Sequence, residues 1–184
     1  AAAAGFVAPI VTPDQLRQME QGPAGRSAAA VIDAQVDPKG RVSNCKTVAT
    51  SGDAELAGGI CGQAEKVRIE PASVLNQSAY GVVRQLVQIP AGGASGLREP
   101  SDLEVQVNVL PAGQTSLRVR ANVLVAAGGK PQACNAGGAP ASYGDAACTQ
   151  IIGIIFGALQ DKDGKPVQYV RTVTVDFVTQ PAAR

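Results

Sequence analysis

Gly40-Arg41-Val42-Ser43-Asn44-Cys45 returns later in the chain as Gly129-Lys130-Pro131-Gln132-Ala133-Cys134, each time with Gly five positions ahead of Cys. A second cysteine follows in each half, at Cys61 and Cys148. From there the register is constant, because 87 positions separate Cys61 from Cys148 and also Arg84 from Arg171. Around the arginines, Val82–Ile89 (VVRQLVQI) aligns with Tyr169–Asp176 (YVRTVTVD). A repeat of this kind means two copies of one folding unit. The expectation is therefore two small α+β domains, each with an antiparallel sheet of about three strands and one covering helix.

The repeat organises the cysteines. A duplicated domain should carry a duplicated bridge, so Cys45–Cys61 and Cys134–Cys148 are the expected pairs among the three connectivities that four cysteines allow. Each would close a loop of about 15 residues, worth about 3 kcal/mol in the chain-entropy model. The competing reading is buried free thiols in a reducing compartment. Zinc fits poorly, since the 184 residues contain no His and no Cys-x-x-Cys. Disulfides imply an oxidising compartment. The opening Ala1-Ala2-Ala3-Ala4-Gly5 has the small residues that signal-peptide cleavage leaves behind, although a chain trimmed at that point would read the same. The expected location is periplasmic or extracellular.

Composition narrows the function. Aromatics are 3% with no Trp, so the core must come from Val, Ile, Leu and Ala. The net charge is +1 with no basic block, which gives no attraction to nucleic acid or anionic lipid. No apolar run approaches the ~20 residues of a membrane helix, and Ile151–Leu159 reads as core. Without His, catalysis by a His base is excluded. Asp53 with Glu55 and Asp161 with Asp163 are the carboxylate pairs that remain, and their places at a helix start and a turn suit capping better. Asp161-Lys162-Asp163-Gly164 lacks the ligands of a calcium loop. The glycine pairs lack a following Gly-Lys-Ser/Thr and are not phosphate cradles. No enzyme activity and no cofactor are expected.

Along the chain, residues 1–11 form an apolar arm. Thr12–Glu20 reads as a short helix with Thr12 as N-cap, Pro13 at the first position and Gln15 completing a capping box. Strands are expected at Ala28–Val36 and Arg41–Ala49, joined by the turn Asp37-Pro38-Lys39-Gly40. A helix over Glu55–Lys66 carries three glycines, each costing about 1 kcal/mol relative to Ala. Val82–Ile89 closes the first unit, residues 12–90. Residues 91–102 have linker composition. The second unit, 103–184, should open with a hairpin of Leu103–Leu110 and Ser116–Val125. In the latter strand Leu117, Val119, Ala121, Val123 and Val125 share one face. A helix over Asp145–Gly157 and a strand over Val167–Phe177 complete it.

This order of elements resembles the C-terminal domain of TonB, the periplasmic partner of outer-membrane transporters. The residues that carry the likeness are Val36-Asp37-Pro38-Lys39-Gly40-Arg41-Val42, Ser51-Gly52 and Glu70-Pro71-Ala72 in the first unit. In the second they are Asp163-Gly164-Lys165-Pro166-Val167 and the final Val173–Phe177 strand. The cysteines look like a disulfide-bearing branch of that family. The resemblance implies small domains that recognise a partner by adding a strand to a sheet edge, through main-chain hydrogen bonds. Two functions follow as expectations. One is a non-enzymatic structural protein whose copies pair edge to edge into a filament or envelope assembly, with the arm as donor. The other is a soluble periplasmic adaptor for extended segments of outer-membrane transporters. The candidate partner contacts are Phe6, Val7, Ile10 and Val11 in the arm, with Arg84 and Arg171 on the closing strands.

Overall fold

The computed structural model describes residues 5–93 and 96–180; Ala1–Ala4 of the arm, two linker residues and the last four residues lie outside them. The strands are β1 (Phe6–Val7), β2 (Ala28–Val36), β3 (Val42–Gly52), β4 (Ala72–Val74), β5 (Gln77–Ile89), β6 (Leu103–Val107), β7 (Ser116–Val125), β8 (Pro131–Asn135), β9 (Leu159–Gln160), β10 (Pro166–Val167) and β11 (Tyr169–Thr179). The helices are α1 (Pro13–Met19), α2 (Ala54–Ala64) and α3 (Ala141–Ile152). The local signals act as chemistry dictates. Gln15 N–H donates to Thr12 Oγ1 and Thr12 N–H to Gln15 Oε1, so the capping box forms. Asp53 caps α2 by accepting from Leu56 N–H at 3.0 Å. Asp161 accepts from the amides of Asp163 and Lys165 in the β9–β10 turn.

The repeat is real in space. In each half a hairpin (β2–β3, β7–β8) is followed by a helix and a closing strand that pairs back on the first strand. The helices bury the same stripe, Ala57, Ile60 and Ala64 in α2 and Gly144, Ala147 and Ile151 in α3. Gly40 and Gly129 do one job. Both have positive φ, and a Cβ on either would collide with the carbonyl of Ile69 or Phe156. Each glycine carbonyl also accepts the amide of that same residue, at 3.0 and 2.8 Å. Only Gly combines that backbone conformation with so close an approach.

The expectation of two small three-stranded units is nevertheless wrong. Nine strands form one mixed, curled sheet, with β9–β10 as a separate small hairpin. The closing strands β5 and β11 lie side by side in parallel, Tyr80 opposite Tyr169 and Val82 opposite Arg171. The spine therefore runs β3-β2-β5-β11-β7-β8. A closing strand has backbone donors and acceptors on both margins, and each half satisfies one margin only. Joining the halves satisfies part of the other.

The side chains of β5 show how the cores relate. Val83, Val87 and Ile89 pack with Ile60 and Ala64 of α2 and with Met19 of α1. Tyr80 and Val82, on the opposite face, pack with Val173 and Phe177 and with Ala147 and Ile151 of α3. Successive residues of a strand face opposite sides, so α2 and α3 cover opposite faces of the shared sheet. Both faces of the strand are partly covered, so Val82–Ile89 does not alternate cleanly between apolar and polar residues.

Three local expectations also shift. The β6–β7 hairpin does not exist, because β11 stands between the two strands and pairs with both, parallel to β6 and antiparallel to β7. The second helix begins at Ala141, directly after Pro140, and ends at the Gly153 cap rather than at Gly157. The arm is not free in this chain. Phe6 and Val7 pair with Val74 and Ser73 of β4, and Ile10 bridges Glu70. Phe6 and Ala8 are buried against Val170 of β11 and Leu124 of β7, so residues from the start of the first half roof the sheet of the second.

Candidate functional site

Both expected disulfides are present, Cys45–Cys61 and Cys134–Cys148. They do equivalent work, each tying an outer strand (β3 or β8) to the helix of its own half. They are bridges of a protein that folds where thiols oxidise. No helix among the described residues is long and apolar enough to cross a membrane. Also among those residues, no group of three or more His, Cys, Asp or Glu is placed to hold a metal.

Arg84 and Arg171 meet where the sheet forks. Strand β5 follows β11 only as far as Arg171, and β6 takes over the same margin of β11 from Val175 onward. Asp102 fills the gap. Its N–H donates to the Thr174 carbonyl at 2.9 Å, and its carboxylate accepts the Thr174 amide at 2.8 Å. The same carboxylate accepts from Arg171 Nη2 at 3.0 Å and lies 3.5 Å from Arg84 Nη1. The arginines that repeat in the sequence thus share one anion. Arg84 also makes a bidentate cross-strand pair with Asp33, at 2.7 and 2.9 Å, and donates to the Pro100 carbonyl. That pairing raises the Arg84 pKa further. The Arg171 guanidinium lies 5.0 Å over the Phe156 ring.

Two more arginines hold the same segment. Arg118 forks onto Asp176 at 2.7 and 2.8 Å and donates to the Glu99 carbonyl. The pairing holds the Asp176 carboxyl below its ordinary range. Arg120 makes two bonds to the Glu99 carboxylate, at 3.2 and 3.1 Å. Four arginines from three strands meet four carboxylates, so the charges are spent internally. Fork-on-fork geometry makes these pairs directional as well as strong. The sequence marked Arg84 and Arg171 through the repeat. Asp102, Glu99 and Arg118 carried no such mark, because they have no counterpart 87 positions away.

The remaining candidate contacts divide by exposure. Phe6 is buried at 5%, whereas Val7 (43%) and Ile10 (53%) present apolar surface, and Val11 packs partly against the first core. Among the described strands, β3 pairs only with β2 and β8 only with β7. The two ends of the sheet spine therefore carry open margins. The margin of β3 is eleven residues long and includes Thr47-Val48-Ala49-Thr50-Ser51, an uncharged run in which Val48 is 41% exposed. Bulges interrupt the pairing of β3 at two points, and Lys46 lies between them, the devices with which natural sheets blunt an edge. The run from Ala49 to Gly52 lies beyond both. Geometry and chemistry together define a disulfide-stapled α+β protein whose sheet spine is open at both ends, among the described strands. No family model matches this chain, and no curated protein or solved structure matches it.

Proposed function

We propose that this is an exported, non-enzymatic interaction protein of the periplasm or extracellular space that works by strand addition, copies of the chain being the favoured partner. The observation that carries the reading is the pair of open margins, β3 and β8, at opposite ends of one continuous spine. Two unlike margins on one molecule allow head-to-tail contact, which generates rings or open filaments. The resemblance to TonB C-terminal domains supports strand addition as the mode of contact. A durable assembly also suits a chain stapled by two disulfides.

The arm favours a second reading. Phe6–Val7 are engaged with β4 of their own chain, so an added strand must come from elsewhere. An extended segment of an outer-membrane transporter on the β3 margin would meet that need, with the protein acting as a soluble adaptor.

Light scattering after size-exclusion chromatography tests the first reading, with the full chain compared against Val48→Lys. Val48 sits at the bulge that borders the open run, and a charge there opposes edge pairing, so the variant should stay monomeric at concentrations where the parent associates. A parent that remains strictly monomeric at high concentration defeats self-assembly. Failure to bind any extended envelope peptide defeats the adaptor.

A further inference from the structure

The face of β11, β7 and β8 opposite α3 is covered at two levels and open between them. At one level Val170, Leu124 and Ala133 lie side by side across the three strands, roofed by Phe6 and Ala8 of the arm. At the other, Thr174 and Arg120 lie opposite each other beneath Glu99. The intervening row is Thr172, Asn122 and Asn135, in register across the same strands. These three side chains floor a groove of about 420 Å³, walled by Pro9, Ile10 and Val11 of the arm and ended by the Glu99–Arg120 pair. That volume lies within the ~300–1,000 Å³ of ordinary ligand sites.

The chemistry of the floor is specific. All three side chains are partly exposed and neutral. Among the described residues none of them makes a hydrogen bond within the chain. Polar groups lowered between two covers with their donors and acceptors unspent are ready for a ligand. Three charges border the groove: Glu99 and Arg120 neutralise each other, and Arg84 is already paired with Asp33 and Asp102, so nothing calls for an anion or a cation. Among the described residues, no aromatic ring lines the groove on which a sugar face could stack. A carboxamide carries one carbonyl and one NH₂, the donor–acceptor pair that a peptide main chain presents. Three adjacent strands at about 4.8 Å spacing set the row at about 10 Å, the length of roughly three extended residues.

We propose that this groove binds an extended peptide by its main chain, with the Asn122 and Asn135 carboxamides pairing to peptide N–H and C=O groups. Thr172 supplies a further hydroxyl, and the exposed Ile10 packs on an apolar side chain of the ligand. The site lies on a sheet face and uses side chains rather than the main chain of a margin; it reaches the edge strand β8 through Asn135, stays clear of the β3 margin, and stands independently of the strand-addition reading. Because the main chain is what is read, the site is tolerant of peptide sequence.

The experiment is NMR of the full ¹⁵N-labelled chain, titrated with an equimolar pool of capped random nonapeptides, with maltotriose and cellotriose as neutral polyol probes. The peptide pool should shift the side-chain amide signals of Asn122 and Asn135 and saturate, while the saccharides leave them unmoved. Asn122→Ala with Asn135→Ala should weaken the pool's apparent affinity at least tenfold while the melting temperature is kept, since these side chains hold nothing in the fold. Thr172→Val, the milder variant, should weaken it less. Val48→Lys should leave it unchanged. Absence of any shift, saturation by a saccharide, or undiminished binding by the double variant overturns the proposal. Loss of the peptide response in Val48→Lys also overturns it, because the peptide would then be using the β3 margin.

Discussion

The first half of the molecule (β2, β3, α2, β5) and the second (β7, β8, α3, β11) solve one folding problem with different materials. The helices bury the same three-position stripe, and the bridges close loops of similar length, with separations of 16 and 14 residues. Around that shared frame the supports differ. Helix α2 has an N-cap, Asp53, clamped in turn by Arg26 at 2.9 and 2.8 Å. Helix α3 has no side-chain cap and follows Pro140. The first core is aliphatic with Met19, whereas the second is filled by Phe177, Tyr143 and Tyr169, with Tyr143 and Phe177 edge to face at 5.3 Å. Burial pushes the Tyr169 phenol above its ordinary pKa, and its hydroxyl donates to the Gly157 carbonyl. The lesson is that the two halves share their backbone devices, glycine turn and bridge, while their packing differs. A turn or a bridge needs particular residues, while a core needs only the right apolar volume.

If the halves are one folding unit, the largest effect comes from severing what joins them. Asp102→Ala removes the anion shared by Arg84 and Arg171 and uncaps the Thr174 amide. The groups are part-buried and Arg84 keeps Asp33, so the loss stands at the low end of the about 3–5 kcal/mol for breaking a buried pair. Urea unfolding should show that loss as a single transition for the whole chain, and Asp102→Asn, which still accepts from Thr174, should lose less. Two separate transitions in the parent protein would mean that the halves fold apart after all.

Next come the bridges, which sharpen the comparison. Replacing Cys45 and Cys61 together by Ser, or Cys134 and Cys148 together, should each cost about 3 kcal/mol, because the loops are nearly equal. Calorimetry of the two double variants should give matching drops. A marked inequality would show that one half leans on its bridge more than the other, and the uncapped α3 makes the second half the one to suffer.

The smallest effect is a pH dependence, to which Asp53 in the first half and Asp176 in the second both contribute; Asp176 is the one to test. Arg118 depresses the pKa of Asp176 in the folded state, so the unfolded chain binds the proton more readily. The stability this contributes is fully present above the ordinary Asp pKa and is lost as pH falls through and below it. Between pH 7 and pH 3, the Asp176→Asn variant should therefore lose less stability than the parent. Equal losses in the two proteins would remove Asp176 from the acid response.

Much of the local structure was legible from residues. The capping box at Thr12, the turn carboxylates Asp37 and Asp161, and the buried face of Val119, Ala121, Val123 and Val125 all follow rules that act within a few positions. The bridge pairing was legible because the repeat named it. The groove floor was not, because Thr172, Asn122 and Asn135 are ordinary strand residues until three strands bring them into line. Nor was the salt-bridge cluster at the fork, since Glu99 and Asp102 sit in a stretch whose composition says only linker.

What the chain determined by itself is the duplicated unit: a hairpin, a stapled helix and a closing strand, fixed by short-range backbone geometry and covalent bonds. Which strands lie beside which was decided only in three dimensions. Main-chain hydrogen bonds along a strand margin are the same for almost every residue, so no side-chain pattern announces that β5 will pair with β11. The union of two expected domains into one sheet rests on that anonymous pairing, on an arm that roofs the opposite half, and on one aspartate shared by two arginines.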